Sequence, residues 1–224
     1  MGPVAPHGNH KGLEMTHDVG ARISWTLRPA ISDKVDGAAL AAGKKVKSWQ
    51  DRRADMQRVC GSCHAAGWVT NWYQQFDNSV GLYNDKFGKP ATKLYQMTRA
   101  AGLITPDVDF DEELEFTYYF LWHHEGRRAR HGAAMMGPDY TQWHGNFEVA
   151  HRFYMEFVPQ LREVLHKAKQ SGDAAKVAAA GKVEAELDTV LNSDMHRWFV
   201  GKMTPAERAA RKKAAEEFRK RYAQ

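Results

Sequence analysis

Positions suited to a helix interface recur at regular spacing in the second half of the chain. Between residues 140 and 165 they alternate at steps of four and three, at Tyr140, His144, Phe147, His151, Tyr154, Val158, Leu161 and Leu165. This is a heptad pattern of about three and a half repeats, which predicts a long helix that packs against another helix. Pro159 lies inside the pattern and lacks a backbone N–H, so a kink is predicted there.

Composition and proline positions predict helices in the first half of the chain as well. The Ala, Lys and Arg content of residues 37–59 favours a helix, which would lead into the segment CGSCH at residues 60–64. Proline is tolerated in a first helical turn, so Pro90 predicts a helix from about Ala91 to Leu103.

Charged and turn-forming residues mark the remaining helix ends. The acidic side chains within residues 109–113 suit the first turn of a helix, because they face the positive end of its dipole. A helix is predicted to begin at Pro138, and a turn to occupy residues 171–173. The last helix is predicted to begin at Thr204, with Glu207 in a capping-box position. These patterns together predict a mainly α fold.

The composition is that of a folded globular protein. Hydrophobic residues make up 43% of the 224 residues and charged residues 26%, a balance that does not fit a disordered chain. No apolar run approaches the roughly 20 residues that cross a bilayer, so no membrane span is predicted. The first residues, MGPVAPHGNHKGLEMTHDVG, lack the basic, apolar and cleavage regions of a secretory signal.

The formal net charge is +5, and much of it lies near the end of the sequence. Residues 202–221 contain eight basic and three acidic side chains. The simplest interpretation is a solvated helical face, and the alternative is a surface that steers an acidic electron-transfer partner. Nucleic-acid binding is not predicted, because aromatic residues do not interleave with the basic ones and no known fold signature accompanies them.

The segment CGSCH is the one local motif whose chemistry follows from its own residues. Cys60 and Cys63 are the only cysteines in the chain, and His64 follows the second one directly. Two thiols at this spacing can each add to a vinyl group of haem, and the adjacent histidine can bind the iron. A redox disulfide and a zinc site are the alternatives, but the first does not need the histidine and the second needs further ligands. We therefore expect one covalent c-type haem.

The sequence leaves the second axial ligand of haem iron open, because the chain contains 11 histidines. The candidates are His17, His124 and His131. His124 and His131 are seven residues apart, a spacing that places two side chains on one helix face, although nearby glycines weaken the argument. A single histidine on an aromatic helix face is more often a hydrogen-bonded core residue than a ligand.

Several segments together resemble one protein family. They are THDVGARISWTLRPAIS at residues 16–32, VCGSCH at residues 59–64, WHHEGRRARHGAAMMGPDYTQWHG at residues 122–145, and the aromatic helix that follows. These segments are similar to the C-terminal part of hydroxylamine oxidoreductase, an octahaem c-type cytochrome family that oxidises hydroxylamine and, in relatives, hydrazine. The similarity extends from Thr16 to about Leu165.

The resemblance implies a periplasmic multihaem cytochrome that forms homotrimers through long C-terminal helices. Residues 1–135 would be the haem-binding region and residues 136–224 the long-helix region for oligomer packing. In the family, a tyrosine of this region bonds covalently to the catalytic haem of a neighbouring subunit, and the segment DYTQWHG gives that role to Tyr140. The implied partners are a small nitrogen-compound substrate and an electron-acceptor cytochrome. Judged by its spacing alone, Tyr140 would simply pack against another helix.

The chain departs from the family in its number of haem motifs. An octahaem protein has one motif for each haem, and this sequence has a single one. Because c-type haem is attached outside the bacterial cytoplasm, we expect a leader and the other motifs to lie upstream, so that this chain is a C-terminal portion. His17, His124 and His131 would then serve haems of other segments. A monohaem electron carrier and a related multihaem reductase of nitrite or hydroxylamine are the alternatives.

Overall fold

The computed structural model describes residues 2–4, 14–16, 37–45 and 48–222. Strands β1 (Gly2–Val4) and β2 (Glu14–Thr16) form a short antiparallel pair. Apart from this pair, all regular structure in the described ranges is helical, which confirms the predicted mainly α fold. None of the helices described is both long and apolar enough to cross a membrane.

The helices follow one another with short connections. A helical turn occupies residues 37–41. The helices after it are α1 (Trp49–Gly61), α2 (residues 66–100), α3 (residues 113–134), α4 (residues 138–170), α5 (Ala174–Asn192) and α6 (Pro205–Tyr222). The predicted helix over residues 37–59 is thus two pieces, because Gly43 adopts a positive φ of 74° that ends the first of them.

Helices α2, α3 and α4 contain π-helical segments, whose turns hold more residues than α-helical turns. These segments are Asn84–Gly88 in α2, Phe120–Glu125 in α3, and Gln142–Phe147 and Arg152–Phe157 in α4. The first and the last of them each end two residues before a proline, Pro90 and Pro159 respectively. A proline crowds the carbonyl group four residues before it, and in both helices that carbonyl lies in the widened π-helical turn.

The two prolines therefore do not divide their helices. Helix α2 runs through Pro90 and ends at Ala100, so the predicted helix start at Ala91 and end at Leu103 are wrong. Helix α4 likewise runs through Pro159, and the predicted disturbance takes the form of the π-helical segment directly before it. In both cases the helix accommodates a proline, which lacks a backbone N–H, by changing locally from α-helical to π-helical hydrogen bonding.

The buried face of α4 departs from the predicted heptad pattern. Its fully buried positions recur every four residues, at Gly145, Val149, Phe153, Phe157, Leu161 and Leu165. Tyr154 and Val158 of the predicted pattern are buried too, but Tyr140 and Phe147 from its first half are exposed. The repeat is longer than predicted because the π-helical turns in the first half of α4 hold additional residues.

The chain folds into two compact units, of which the first comprises residues 1–89 and 113–158. The boundary predicted at residue 135 falls inside this unit, in the turn between α3 and α4, because these two helices pack on each other. Aromatic rings form part of its core: the ring of Phe87 lies 5.4 Å from that of Phe153 and 5.9 Å from that of Tyr154, between centroids.

A buried ion pair links the π-helical segments of α3 and α4 in the first unit. The Glu125 carboxylate is 4% exposed and accepts hydrogen bonds from Arg152 Nε and Nη2 at 3.2 and 2.9 Å. The same guanidinium lies over the ring of Phe120, 5.1 Å from its centroid. Removing one partner of such a pair leaves an uncompensated buried charge, so this contact between the two helices is costly to lose.

Glycines let α3 and α4 approach until their backbones touch. A Cβ atom on Gly145 would lie 2.5 Å from the Cα of Ala129 and 2.6 Å from the carbonyl oxygen of Tyr140. A Cβ atom on Gly132 would lie 2.8 Å from the backbone nitrogen of Thr141. Because these neighbours are backbone atoms, they cannot rotate away as a side chain would. The first turns of α4 are therefore held directly against α3.

The second unit comprises residues 90–112 and 159–224. Its buried residues include Leu94, Thr98, Ile104, Leu161, Leu165, Val183, Leu187, Leu191 and His196. The predicted turn at residues 171–173 is confirmed: Gly172 has a φ of 74°, and the Asp173 carboxylate caps α5 by accepting from the Ala175 amide at 2.8 Å.

The predicted capping box at the start of α6 is also confirmed. Thr204 Oγ1 accepts from the Glu207 amide at 3.2 Å, and Glu207 Oε2 accepts from the Thr204 amide at 2.7 Å. The Glu207 carboxylate also pairs with the guanidinium of Arg197. The Thr204 amide, then Arg197 and the Thr204 hydroxyl, lower the pKa of Glu207 from 4.5 to about 2.

We predict that Gly145→Ala destabilises the protein by about 1–3 kcal/mol, because the added methyl group meets backbone atoms that cannot yield. Gly81→Ala is the matched control in the same unit, since nothing lies within 4 Å of a Cβ atom there. It should stabilise helix α2 by about 0.5–1 kcal/mol. Urea unfolding of both variants checks the prediction. Equal effects of the two substitutions would show that α3 and α4 do not touch at Gly145.

We predict that the start of α6 loses protection from amide hydrogen exchange as the pH falls from about 4.5 to about 2. A depressed carboxylate pKa contributes stability above the ordinary value of 4.5, and protonation of Glu207 removes it at low pH. Glu207→Gln should show low protection throughout this range. Glu216→Gln, on the same helix outside the cap, should behave like the parent. A parent chain whose α6 protection is flat across this range would contradict the proposed cap.

Candidate functional site

The CGSCH segment spans the end of α1 and the turn before α2. The His64 amide donates to the Cys60 carbonyl at 2.9 Å, and the Cys63 amide donates to the same carbonyl at 3.2 Å. Helix α2 then begins at Ala66, directly after its N-cap residue Ala65. This tight turn brings the second cysteine and the histidine back beside the last turn of α1.

Both thiols and the imidazole of the motif open onto one apolar cavity of about 200 Å³, which we call the thiol cavity. Its lining residues are Val59, Cys60, Cys63, His64, Trp68, Val69, Trp72 and Met136. Cys60 is half-buried and packs against the core residues Met56, Val69 and Tyr73, whereas Cys63 and His64 are exposed. The structure thus brings together the three residues predicted to hold the haem.

The His64 imidazole is held in a defined plane by a tryptophan one helical turn away. The rings of His64 and Trp68 stack with their centroids 4.0 Å apart and an interplanar angle of 14°. Trp68 remains 43% exposed, so this pair lies at the surface of the first unit. A stacked ring restricts rotation of the imidazole.

The side chains that line the thiol cavity are chemically suited to covalent attachment of a haem. Its two cysteines do not form a disulfide, and its other lining side chains are apolar or aromatic, as the faces of a porphyrin require. In the described part of the chain, no group of three or more His, Cys, Asp or Glu side chains lies close enough to hold a metal ion. The donor set here is instead one imidazole beside two thiols, which is the set that c-type haem uses.

A second cavity, of about 450 Å³, lies between α3 and the start of α4, and we call it the histidine cavity. It brings together three of the sequence candidates, His124, His131 and Tyr140. Its other lining residues are His123, Arg127, Arg128, Gly132, Met135 and Gly137. The volume lies within the range of cofactor and small-molecule sites.

Helical spacing explains why these residues share one cavity. His124 and His131 are seven residues apart on α3 and lie on the same face, with Arg127 and Arg128 between them. Tyr140 reaches the cavity from the first turn of α4, which Gly132 and Gly145 hold against α3. The glycines that weakened the argument from sequence, Gly126 and Gly132, are both buried in α3, and Gly132 is the one that lets α4 approach closely.

His123 also lines the histidine cavity, a role that the sequence analysis did not assign to it. Its Nε2 lies 3.0 Å from Arg127 Nη1, and its ring stacks on Tyr119 with centroids 4.5 Å apart. Burial lowers the pKa of His123 below its ordinary value, and the charge of Arg127 lowers it further. The imidazole is therefore neutral at neutral pH, and its Nε2 lone pair faces the guanidinium. The sequence signal that could have revealed it is the four-residue spacing to Arg127.

Tyr140 stands at an exposed aromatic face of α4. Its side chain is 58% exposed, and its ring centroid lies 5.6 Å from that of His144. Trp143 and Phe147 continue this face; both are exposed, with ring centroids 5.7 Å apart. Most of the Tyr140 side chain is thus exposed, although the residue also lines the histidine cavity.

The turn between α3 and α4 places one methionine in each cavity. Met135 lines the histidine cavity and Met136 lines the thiol cavity. The amide of Gly137 donates to the Gly132 carbonyl at 2.8 Å, and that of Met136 donates to the Ala133 carbonyl at 3.3 Å. These two bonds form a Schellman motif that ends α3, and Met136 occupies its left-handed position with a φ of 57°.

The candidate ligands divide between the two cavities. His124 and His131 line the histidine cavity, and neither lines the thiol cavity, so they are not placed to bind iron at His64. His17 lies outside the described residues. Compared with protein-family models, curated proteins and solved structures, the chain matches none of them.

Proposed function

We propose that the chain is an electron-transfer part of a multihaem, hydroxylamine oxidoreductase-like enzyme and carries one covalent c-type haem. The observation that carries the proposal is the thiol cavity, where Cys60, Cys63 and His64 open onto one apolar space. The family is proposed on the sequence segments described above, and the separate histidine cavity supports a protein that serves more than one haem.

The residues of the thiol cavity would each have a distinct role. The Sγ–H of each cysteine would add across one vinyl C=C bond of the porphyrin, which needs no oxidant, and His64 would bind the iron. Trp68 would keep the imidazole in plane, and Trp72 would exclude water from the porphyrin face. The bound haem would supply one-electron transfer, whose potential depends on its axial ligands and its burial.

The histidine cavity would serve another haem of the assembled enzyme. His124 and His131 each offer an imidazole to it, and ligation requires the neutral form of the ring. Arg127 and Arg128 also line the cavity, where guanidinium groups suit the propionate carboxylates of a porphyrin. A small monohaem carrier has no use for such a cavity, which favours the multihaem proposal over that alternative.

Tyr140 is the residue proposed to reach a neighbouring subunit. Its exposure, beside exposed Trp143 and Phe147, leaves the ring accessible to a second copy of the chain. A covalent bond from this tyrosine to the catalytic haem of a neighbour would favour oxidation of hydroxylamine or hydrazine. Without that bond, the related nitrite or hydroxylamine reductase is the better proposal. A homotrimer, a periplasmic location and an acceptor cytochrome complete the proposal on the same resemblance.

We predict that the chain, produced in a bacterium with cytochrome c maturation, gains the mass of one haem and keeps it after denaturation. Cys60→Ala and Cys63→Ala should each leave a single thioether, which shifts the absorption band of the reduced haem to longer wavelength. Ser62→Ala is the matched control within the motif, because it keeps both thiols and the imidazole and removes a hydroxyl that donates to the Val59 carbonyl and lies 3.7 Å from Cys63 Sγ. A colourless product with unmodified thiols would refute the proposal.

We predict that the histidine cavity binds added ferric haem through an imidazole. A titration of the Cys60→Ala, Cys63→Ala chain, followed by absorption, should show a histidine-ligated species that His131→Ala weakens by about tenfold or more, as loss of an axial ligand requires. His166→Ala is the control, because this exposed histidine of α4 lines neither cavity. Equal haem binding by the His131→Ala and His166→Ala variants would remove the histidine cavity from the proposed function.

A further inference from the structure

The two arginines that line the histidine cavity differ in how their charges are compensated. Arg128 Nη1 lies 3.0 Å from Glu148 Oε2, so this guanidinium already has an anionic partner within the first unit. Arg127 is exposed and pairs with no carboxylate in the part of the chain that the structure describes. The positive charge that the cavity can offer to a ligand is therefore that of Arg127.

The guanidinium of Arg127 is held in place by His123. Arg127 Nη1 lies 3.0 Å from His123 Nε2, and because a guanidinium only donates, the imidazole accepts through the lone pair on Nε2. The histidine ring is in turn stacked on Tyr119, with centroids 4.5 Å apart and an interplanar angle of 17°. This contact leaves the other N–H groups of the guanidinium available to a ligand.

The same contact leaves the second ring nitrogen of His123 unsatisfied. When Nε2 accepts, the proton of the neutral imidazole lies on Nδ1. Nδ1 is buried and has no hydrogen-bond partner among the described residues. A buried donor without an acceptor is costly in free energy, and in a native structure it calls for an explanation. The ring is therefore placed in the orientation that holds Arg127, although that orientation does not satisfy its own donor.

The chemistry and position of Arg127 indicate which group it binds. The parallel N–H groups of a guanidinium match the two oxygens of a carboxylate. Arg127 is one helical turn from His131 on the same face of α3, and the cavity that both residues line has the volume of a cofactor site. This arrangement suits a large ligand that offers a metal to the imidazoles and a carboxylate to the guanidinium, and haem is such a ligand.

We propose that Arg127, positioned by His123, binds a propionate carboxylate of the haem that occupies the histidine cavity. The inference rests on the proposed function, because it takes haem as the ligand of this cavity. Arg128, already paired with Glu148, has no such role. A carboxylate bound at Arg127 would determine which edge of the porphyrin faces α3, and would stop the porphyrin from rotating about its bond to a histidine.

The experiment compares two ligands that differ only in their carboxylates. Ferric haem and its dimethyl ester, in which both propionates are esterified, are titrated into the Cys60→Ala, Cys63→Ala chain and followed by absorption. This chain should bind haem about tenfold more tightly than the ester, as a charge-assisted pair of hydrogen bonds requires. Adding Arg127→Gln should make the two affinities equal. Arg128→Gln, the matched control on the next residue, should keep the preference for haem.

The ratio of the two affinities is measured within each variant, so a substitution that only weakens folding lowers both affinities alike. The same ratio tests His123 as a positioning residue. His123→Leu cannot accept a hydrogen bond from Arg127 and should lower the preference for haem several-fold. His123→Gln offers a side-chain oxygen as acceptor and should keep most of the preference. Equal ratios in these two variants would remove the positioning role of His123.

Three other results would overturn the assignment of Arg127 while leaving haem binding by the histidine cavity standing. They are equal or tighter binding of the ester by the starting chain, a preference for haem that survives Arg127→Gln, and a preference that is lost equally in Arg128→Gln. A chain that binds neither porphyrin would overturn both this inference and the role of the histidine cavity in the proposed function.

Discussion

The close approach of α3 and α4 is the constraint on which the rest of the first unit depends. Gly145 lies against the backbone of Ala129, and Gly132 lies against that of Thr141. No side chain separates the two backbones at these points, and a turn of only three residues joins the helices. Because this turn is so short, it fixes the position of Tyr140 relative to His131 and determines which cavity each of the two methionines lines.

Local features of the fold could be predicted from sequence, and its helix registers could not. The capping box at Thr204 and the turn at residues 171–173 depend on neighbouring side chains and were predicted correctly. The heptad pattern over α4 failed in its first half, because π-helical turns change the spacing of the buried face. Proline positions misled for the same reason: a widened turn before Pro90 lets the helix continue.

In the candidate site, too, the features set by neighbouring residues could be predicted from sequence, and those set by the packing of helices could not. Cys60, Cys63 and His64 form a contiguous motif, so their meeting at one cavity follows from a single turn. The shared face of His124 and His131 follows from helical spacing, but its closure by Tyr140 required the packing of α4 on α3. Met136 could not be found by pattern, because its position depends on a positive φ that sequence alone assigns to glycine.

The consecutive placement of Met135 and Met136 gives the two cavities a common wall element. The Cα atoms of these residues are joined by one planar peptide unit and are about 3.8 Å apart, and each side chain lines a different cavity. Covalent geometry, and not the packing of the surrounding helices, therefore sets the distance between these two points of the cavity walls.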